Sequence, residues 1–439
     1  MKKTICLSLL TFSSLFADAD LDALKEQMAQ QKLVMQKLEA KIDAMSKKQI
    51  QMQQEQASEK VTKTTPNTSA SFSQNAYLPA IALILNMSAV GRNVKNSDYA
   101  KYSIPGFIDT NSTTGVAPEL PFNKERGFNF NYAEVAMNST VDPYFDAFAI
   151  FHLHPDAFEI EEAFVRTRAL PFGLRIKAGK FKSAFGRLNE KHQHSWHFDE
   201  QAIIYKALFG PDSISDDGVQ VQWVAPTDTY LMVGAEAMQG ANERSFGGSV
   251  DSTGNIVTEK NNLYVSYVKS SVDVGDDLSI LGGVSLAHGK HLGNTSNVYG
   301  ADLTMRDQLG GYSALIWQSE YLERQMDVAG GSTDKQAGLY SELIYQYNNN
   351  YSGGFRYDTM TKNDTDLSSY TGLNTSNLDK YTTMLEYHPF PMSRLRLSYS
   401  YDRTKVIGRT STFSGTRKDV SQVILSLNIA AGAHGAHNY

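Results

Sequence analysis

Cysteine is almost missing: Cys6 is the single one in 439 residues. A disulfide scaffold and a thiolate metal site are therefore excluded. No apolar run of about 18 residues follows the first twenty positions, which excludes a multi-span helical transporter. Net positive charge is lacking too, since 41 Lys and Arg face 47 Asp and Glu, leaving −6. That balance excludes a generally basic nucleic-acid binder. Tryptophan is scarce at 3, but Tyr (23) and Phe (21) are plentiful. The length admits two or three soluble domains or one very large barrel.

What is present falls into blocks. Lys2 and Lys3, the short apolar core Ile5 to Phe16, and the small residues of Ala17-Asp18-Ala19 read as a signal peptide over 1–19. Cys6 lies inside it, so the exported chain carries no cysteine. Residues 20–60 contain neither Gly nor Pro. Leu21, Leu24, Met28, Gln31, Met35, Leu38, Ile42, Met45, Gln49 and Met52 follow a strict 3,4 spacing. This is a coiled-coil seam, and it predicts an α-helical arm that self-associates. Residues 61–76, with Pro66 and several Thr, Ser and Asn, read as a linker.

From 77 to 439 the period is two. Leu395, Leu397, Tyr399 and Tyr401 alternate with Arg394, Arg396, Ser398 and Ser400. Val219, Val221 and Trp223 alternate with Gln220 and Gln222, and Leu174 and Ile176 with Arg175 and Lys177. Strands with one apolar and one polar face follow. A soluble sandwich gives the same alternation, so the connections discriminate. Sixteen candidate strands are separated by short turns that alternate with longer loops at 91–126, 183–216, 240–260, 288–297, 324–334, 361–378 and 403–417; only 153–157 breaks the alternation. This pattern predicts an all-β transmembrane barrel of about 16 antiparallel strands, preceded by the helical arm. Aromatics near strand ends, including Tyr347, Tyr387 and Phe390, suit an interfacial girdle.

Sixteen strands enclose more space than their own side chains fill, so a wet channel is expected. Arg166, Arg168, Arg175, Lys177, Arg394 and Arg396 are the pore-lining basic candidates, and they would bias the channel toward small anions. Loop 183–216 is the natural constriction, with Arg187, Lys191, His194, Trp196, Asp199 and Glu200 as its candidate residues. The same loop holds His192, His194 and His197, three of ten histidines. Imidazoles beside carboxylates offer a ligand set for zinc or another transition metal, although the spacing matches no standard site. The plainer alternative is a polar loop hydrogen-bonded to the lumen wall, with no cofactor. His434 and His437 form a second small cluster. Ser195 beside His194 and His197 is adjacency in sequence only, so no enzyme is expected.

Signal, heptad arm, linker and barrel together resemble the trimeric porins of the phosphate-selective porin O/P-like superfamily, and the arm is most similar to that of DcaP-type dicarboxylate channels. Glu161-Glu162-Ala163-Phe164-Val165, Leu170-Pro171-Phe172-Gly173-Leu174, Ala178-Gly179-Lys180-Phe181 and Phe185-Gly186 carry the resemblance. His192-x-His194-x-Trp196 and the ending from Gly432 to His437 are similar to proteins labelled zinc-regulated TonB-dependent outer-membrane receptors. The resemblance implies a homotrimer in a Gram-negative outer membrane, its arm in the periplasm and within reach of peptidoglycan. Small hydrophilic solutes, anions or organic acids among them, would cross by diffusion. Zinc uptake and a plugged barrel serving as an envelope tether are the alternatives.

Overall fold

A computed structural model of the chain describes residues 79–99, 102–107, 122–155, 157–242, 244–247, 249–250, 256–257, 262–327, 331–365, 377–407 and 416–432. The signal peptide, the arm, the linker, His434 and His437 lie outside the described residues.

The alternating sequences form sixteen long strands. These are β1 (Ala80–Arg92), β2 (Gly127–Thr140), β3 (Phe145–Leu153), β4 (Phe158–Thr167), β5 (Leu174–Lys182) and β6 (Ser215–Val224). Next come β7 (Tyr230–Met238), β8 (Leu263–Val274), β9 (Leu278–His291), β10 (Asn294–Gly310) and β11 (Ser313–Asp327). The last are β12 (Thr333–Gln346), β13 (Tyr351–Asn363), β14 (Asp379–Phe390), β15 (Ser393–Asp402) and β16 (Val420–Gly432). Each pairs with the next, and β16 pairs back onto β1, so the sheet closes into a barrel without an edge.

Alternation decides which side is which. On β15, Arg396 is 1% exposed, whereas its neighbour Leu397 is 47% exposed. Val219, Val221 and Trp223 on β6 and Leu343 and Tyr345 on β12 likewise face outward. The apolar face is thus the outer wall and the polar face lines the lumen, the arrangement of a barrel set in lipid.

The sixteen expected strands are all present, but two expected long loops are not loops. The stretches 288–297 and 324–334 are mostly strand, because β9 to β12 continue past the end of their neighbours. Only Leu292 and Gly293 join β9 to β10. Both have positive φ, 48° and 87°, as a two-residue type I′ hairpin turn requires.

Candidate functional site

The connection from β5 to β6, residues 183–214, folds inward and crosses the lumen. Its neck is tied by local chemistry. Ser183 donates its N–H to Ile214 O at 2.9 Å. The Asn189 side chain donates to the carbonyls of Ser183 and Ile214 at 2.8 and 2.9 Å and accepts the Ile214 N–H at 2.9 Å. Beyond the neck the loop contains a short helix, Ile203–Phe209, whose residues are all buried except Lys206.

One side of the loop makes an apolar core inside the barrel. Phe185, Leu188, Ile204, Leu208 and Phe209 pack against Met238, Leu263, Val265, Leu322 and Tyr340 of the wall. Gly300 on β10 makes room for this, since a Cβ there would meet the Phe185 ring at 2.8 Å. Burial of each large side chain contributes roughly 1.5–3 kcal/mol, so this half of the lumen is sealed.

Backbone groups of a loop in such a place need partners. Wall carboxylates supply them. Glu236 on β7 accepts the Ala184 N–H at 2.9 Å. Glu320 on β11 accepts the N–H groups of Arg187 and Leu188 at 2.8 and 2.9 Å, and the hydroxyls of Tyr205 (2.7 Å) and Tyr340. Gly186 is forced by this packing: its φ is +60° and a Cβ would collide with Tyr205 and Glu320. Asp358 on β13 accepts the Ile203 N–H at 3.0 Å. Asp199 on the loop accepts from Arg396 (3.3 Å), Ser426 (2.6 Å) and Ser398. The loop is therefore fastened around much of the wall.

The candidate cations take different roles. Arg175 and Lys177 lie on the lumen face of β5 and make no ion pair among the described residues. The Lys177 amine sits over Phe164 and Phe181 at 4.8 and 5.1 Å. Arg166 and Arg168 share Asp146 at 3.8 and 3.6 Å. Arg394 and Arg396 do not form a free basic row. Arg394 lies 3.6 Å from Glu386, and Arg396 is held between Glu386 (2.6 Å) and Asp199 (3.3 Å) and donates to Trp196 O at 2.8 Å. The Arg396 charge is taken up in holding the loop, and that of Arg394 faces a wall carboxylate.

On the loop, Trp196 is buried and donates its indole N–H to Lys191 O at 3.0 Å. Burial and the nearby Arg187 press the Lys191 amine down to about 8. Burial alone would raise the Glu200 carboxyl, but Lys380, at 2.5 Å, holds it down to about 2. The three loop histidines do not converge. His197 turns to Glu342 on β12 at 2.6 Å. His192 and His194 stack 5.8 Å apart and face β2 and β4 instead. The short helical turn Gln193–Ser195, which contains His194, separates His192 from His197 along the loop. Sequence reasoning missed Glu134 and His152, which sit directly opposite each other on β2 and β3.

The polar half of the lumen holds a broken passage. On the short-turn side of the loop is a cavity of about 450 Å³, where His194, His197, Gln346, Glu386 and Arg394 share the lining with apolar residues such as Ile84, Ile316, Ile344 and Met384. On the other side is one of about 60 Å³, lined by Glu200, Lys206, Lys380 and Lys405. Between them Asn86, Asn123, Gln193, Asp199, Arg394 and Arg396 enclose only about 10 Å³, roughly one water. This neck is rich in amides and sets two arginines against one aspartate.

A closed sixteen-strand barrel with a long loop folded across its lumen has the porin fold. The anion-selective porin from Comamonas acidovorans shares it at a TM-score of 0.50 and 9% identity, over 80% of this chain and 99% of that one. The outer membrane channel DcaP of Acinetobacter baumannii aligns at 0.48 and 12%, over 82% and 99%. No protein-family model matches. The chain belongs to one family with an uncharacterized protein of Aquifex aeolicus (strain VF5), to which it is 37% identical over 394 residues, 84% of this chain and 81% of that protein.

Proposed function

We propose that this protein is an outer-membrane diffusion channel for small hydrophilic solutes, with a mild preference for anions such as organic acids. The observation that carries the reading is the loop 183–214, which is fastened by buried carboxylates to one side of a lipid-type barrel and leaves a polar route on the other. Outward-facing apolar side chains on β5, β6, β12 and β15 support an outer-membrane setting. The narrow neck calls for small solutes and side-chain motion around Gln193 and Asp199. The anion preference rests on Lys206, which lines the smaller cavity, and on Arg175 and Lys177 on the lumen face of β5 beside the passage; none of the three makes an ion pair among the described residues. Such groups in a low-dielectric lumen attract counter-charge. The heptad seam supports self-association, and a homotrimer of the DcaP type suits it. The arm would then stand in the periplasm, facing peptidoglycan.

Liposome swelling tests this reading. Vesicles carrying the folded protein should admit small carboxylates faster than neutral sugars of equal size, with rates falling steeply as size increases. Vesicles that stay impermeable to all solutes would leave the plugged-barrel reading in its place.

A further inference from the structure

A second cluster lies outside the passage, where the loop meets the wall of β2 to β4. We propose that Glu134, His152, Glu161 and His192 form a divalent transition-metal site, zinc by its donor set, that clasps the constriction loop to the barrel wall. The four come from β2, β3, β4 and the loop, and one donor atom from each lies within 4.8 Å of the others. All four side chains are buried.

The geometry suits a small cation. His152 Nε2 lies 3.2 Å from Glu134 Oε2 and 2.5 Å from Glu161 Oε2. His192 Nδ1 lies 3.2 Å from Glu161 Oε2 and 3.9 Å from Glu134 Oε2. A tetrahedral zinc with bonds of about 2.0–2.2 Å spaces its ligands about 3.3–3.6 Å apart; these four of the six edges lie on either side of that value, and the other two are within 4.8 Å. Glu161 reaches this position through a β-bulge. It is the unpaired residue between Ile160 and Glu162, which turns both carboxylates inward.

The surroundings are those of a metal site. With Nδ1 on the metal, His192 Nε2–H donates to Glu162 Oε2 at 2.8 Å, the usual carboxylate support of a ligating imidazole. Glu162 in turn accepts the Lys182 N–H at 2.7 Å, and Lys182 Nζ lies 3.0 Å from Glu161 Oε1. His194 Nδ1 lies 3.1 Å from Glu134 Oε2. The His152 ring is stacked on Tyr132 at 4.6 Å. Glu134 Oε1 is buried with no hydrogen-bond partner. Three carboxylates and one lysine, with neutral imidazoles, leave a double negative charge that a divalent ion cancels. Two imidazolium ions would balance the same charge, and metal loading separates the two accounts.

The test is metal content of the full-length folded protein, stripped by chelator and dialysed against micromolar free zinc. Folding of each variant is checked by its heat-modifiable migration. The parent and His288→Asn, an exposed histidine elsewhere, should retain one zinc per chain. His152→Asn and Glu134→Gln should retain none. Glu162→Gln should keep the stoichiometry but bind about 10- to 100-fold more weakly. A folded parent that holds no stoichiometric zinc overturns the proposal. So does binding that survives in His152→Asn, which would place the metal elsewhere. Because the readout is metal content, this result is independent of whether the barrel conducts.

Discussion

Glu320→Gln is the sharpest probe of how the loop is held. The carboxylate takes two backbone N–H groups from the loop, one on each oxygen: Leu188 on Oε1 and Arg187 on Oε2. Each oxygen also receives one tyrosine hydroxyl, Tyr340 on Oε1 and Tyr205 on Oε2. Glutamine keeps the volume but only one acceptor oxygen. The hydroxyls can turn to offer a lone pair to the new NH2 group. A backbone N–H cannot. Whichever way the amide is set, one of the two N–H groups faces a donor. Losing a bond to a charged acceptor costs about 1.5–3 kcal/mol, and the unmatched buried N–H adds about 1–3 kcal/mol. A combined effect of about 3 kcal/mol makes local detachment of the loop roughly a hundredfold more frequent, at about 1.4 kcal/mol per factor of ten. Hydrogen exchange reads this directly, because amides exchange through such local openings. Protection of Arg187 and Leu188 should fall about a hundredfold, while Glu323→Gln on the same strand leaves it intact. Unchanged protection in a folded Glu320→Gln protein would refute the claim that an ionised carboxylate holds the loop.

Three further outcomes follow from the lumen charges. Arg396→Gln leaves Asp199 in the buried neck without its cation, while Glu386 keeps Arg394 and His388; losing one partner of a buried pair should cost about 3–5 kcal/mol, so the midpoint of the heat-modifiable transition should drop and the reversal potential should shift toward cations. Arg175→Gln with Lys177→Gln removes cations that make no ion pair among the described residues, so stability should hold while anion bias falls, and the difference should vanish in 1 M salt, where screening acts over about 3 Å. Burial and the neighbouring Lys405 bring the Lys206 amine down to about 7. It is charged below that value and neutral above it, so anion bias should decline as pH rises through 7, and a flat pH profile in the parent or an unaltered one in Lys206→Met would count against its role.

Strand number and facing were legible because alternation is a local property. The run from Ser393 to Asp402 reads the same in sequence and in the barrel, with its leucines outward and its arginines inward. The loop at 183–214 was legible by its length and by its aromatics and charges. The hairpin at Leu292-Gly293 was not, because strands that leave the membrane no longer need an apolar face, and Leu-Gly lacks the usual Asn-Gly turn signal. Partners were the hardest to foresee. Arg396 was placed on the correct face, but Asp199, which neutralises it, lies 197 residues away. Glu320 and Asp358 look like any lumen carboxylate until the path of the loop is known. The pairing of Glu134 with His152 was within reach. The tight β2–β3 turn sets the register, and counting back from Thr140 opposite Asp146 brings these two together.

The central claim is that a solute can pass the loop on its polar side. Single-channel recording of the folded protein in a planar bilayer tests it most directly. Discrete, small conductance steps are expected, grouped in threes if the arm joins three barrels, and larger steps in Arg396→Gln, where a shorter side chain lines the neck. Folded, heat-modifiable protein that inserts but gives no steps, in the parent and in Arg396→Gln alike, would contradict it.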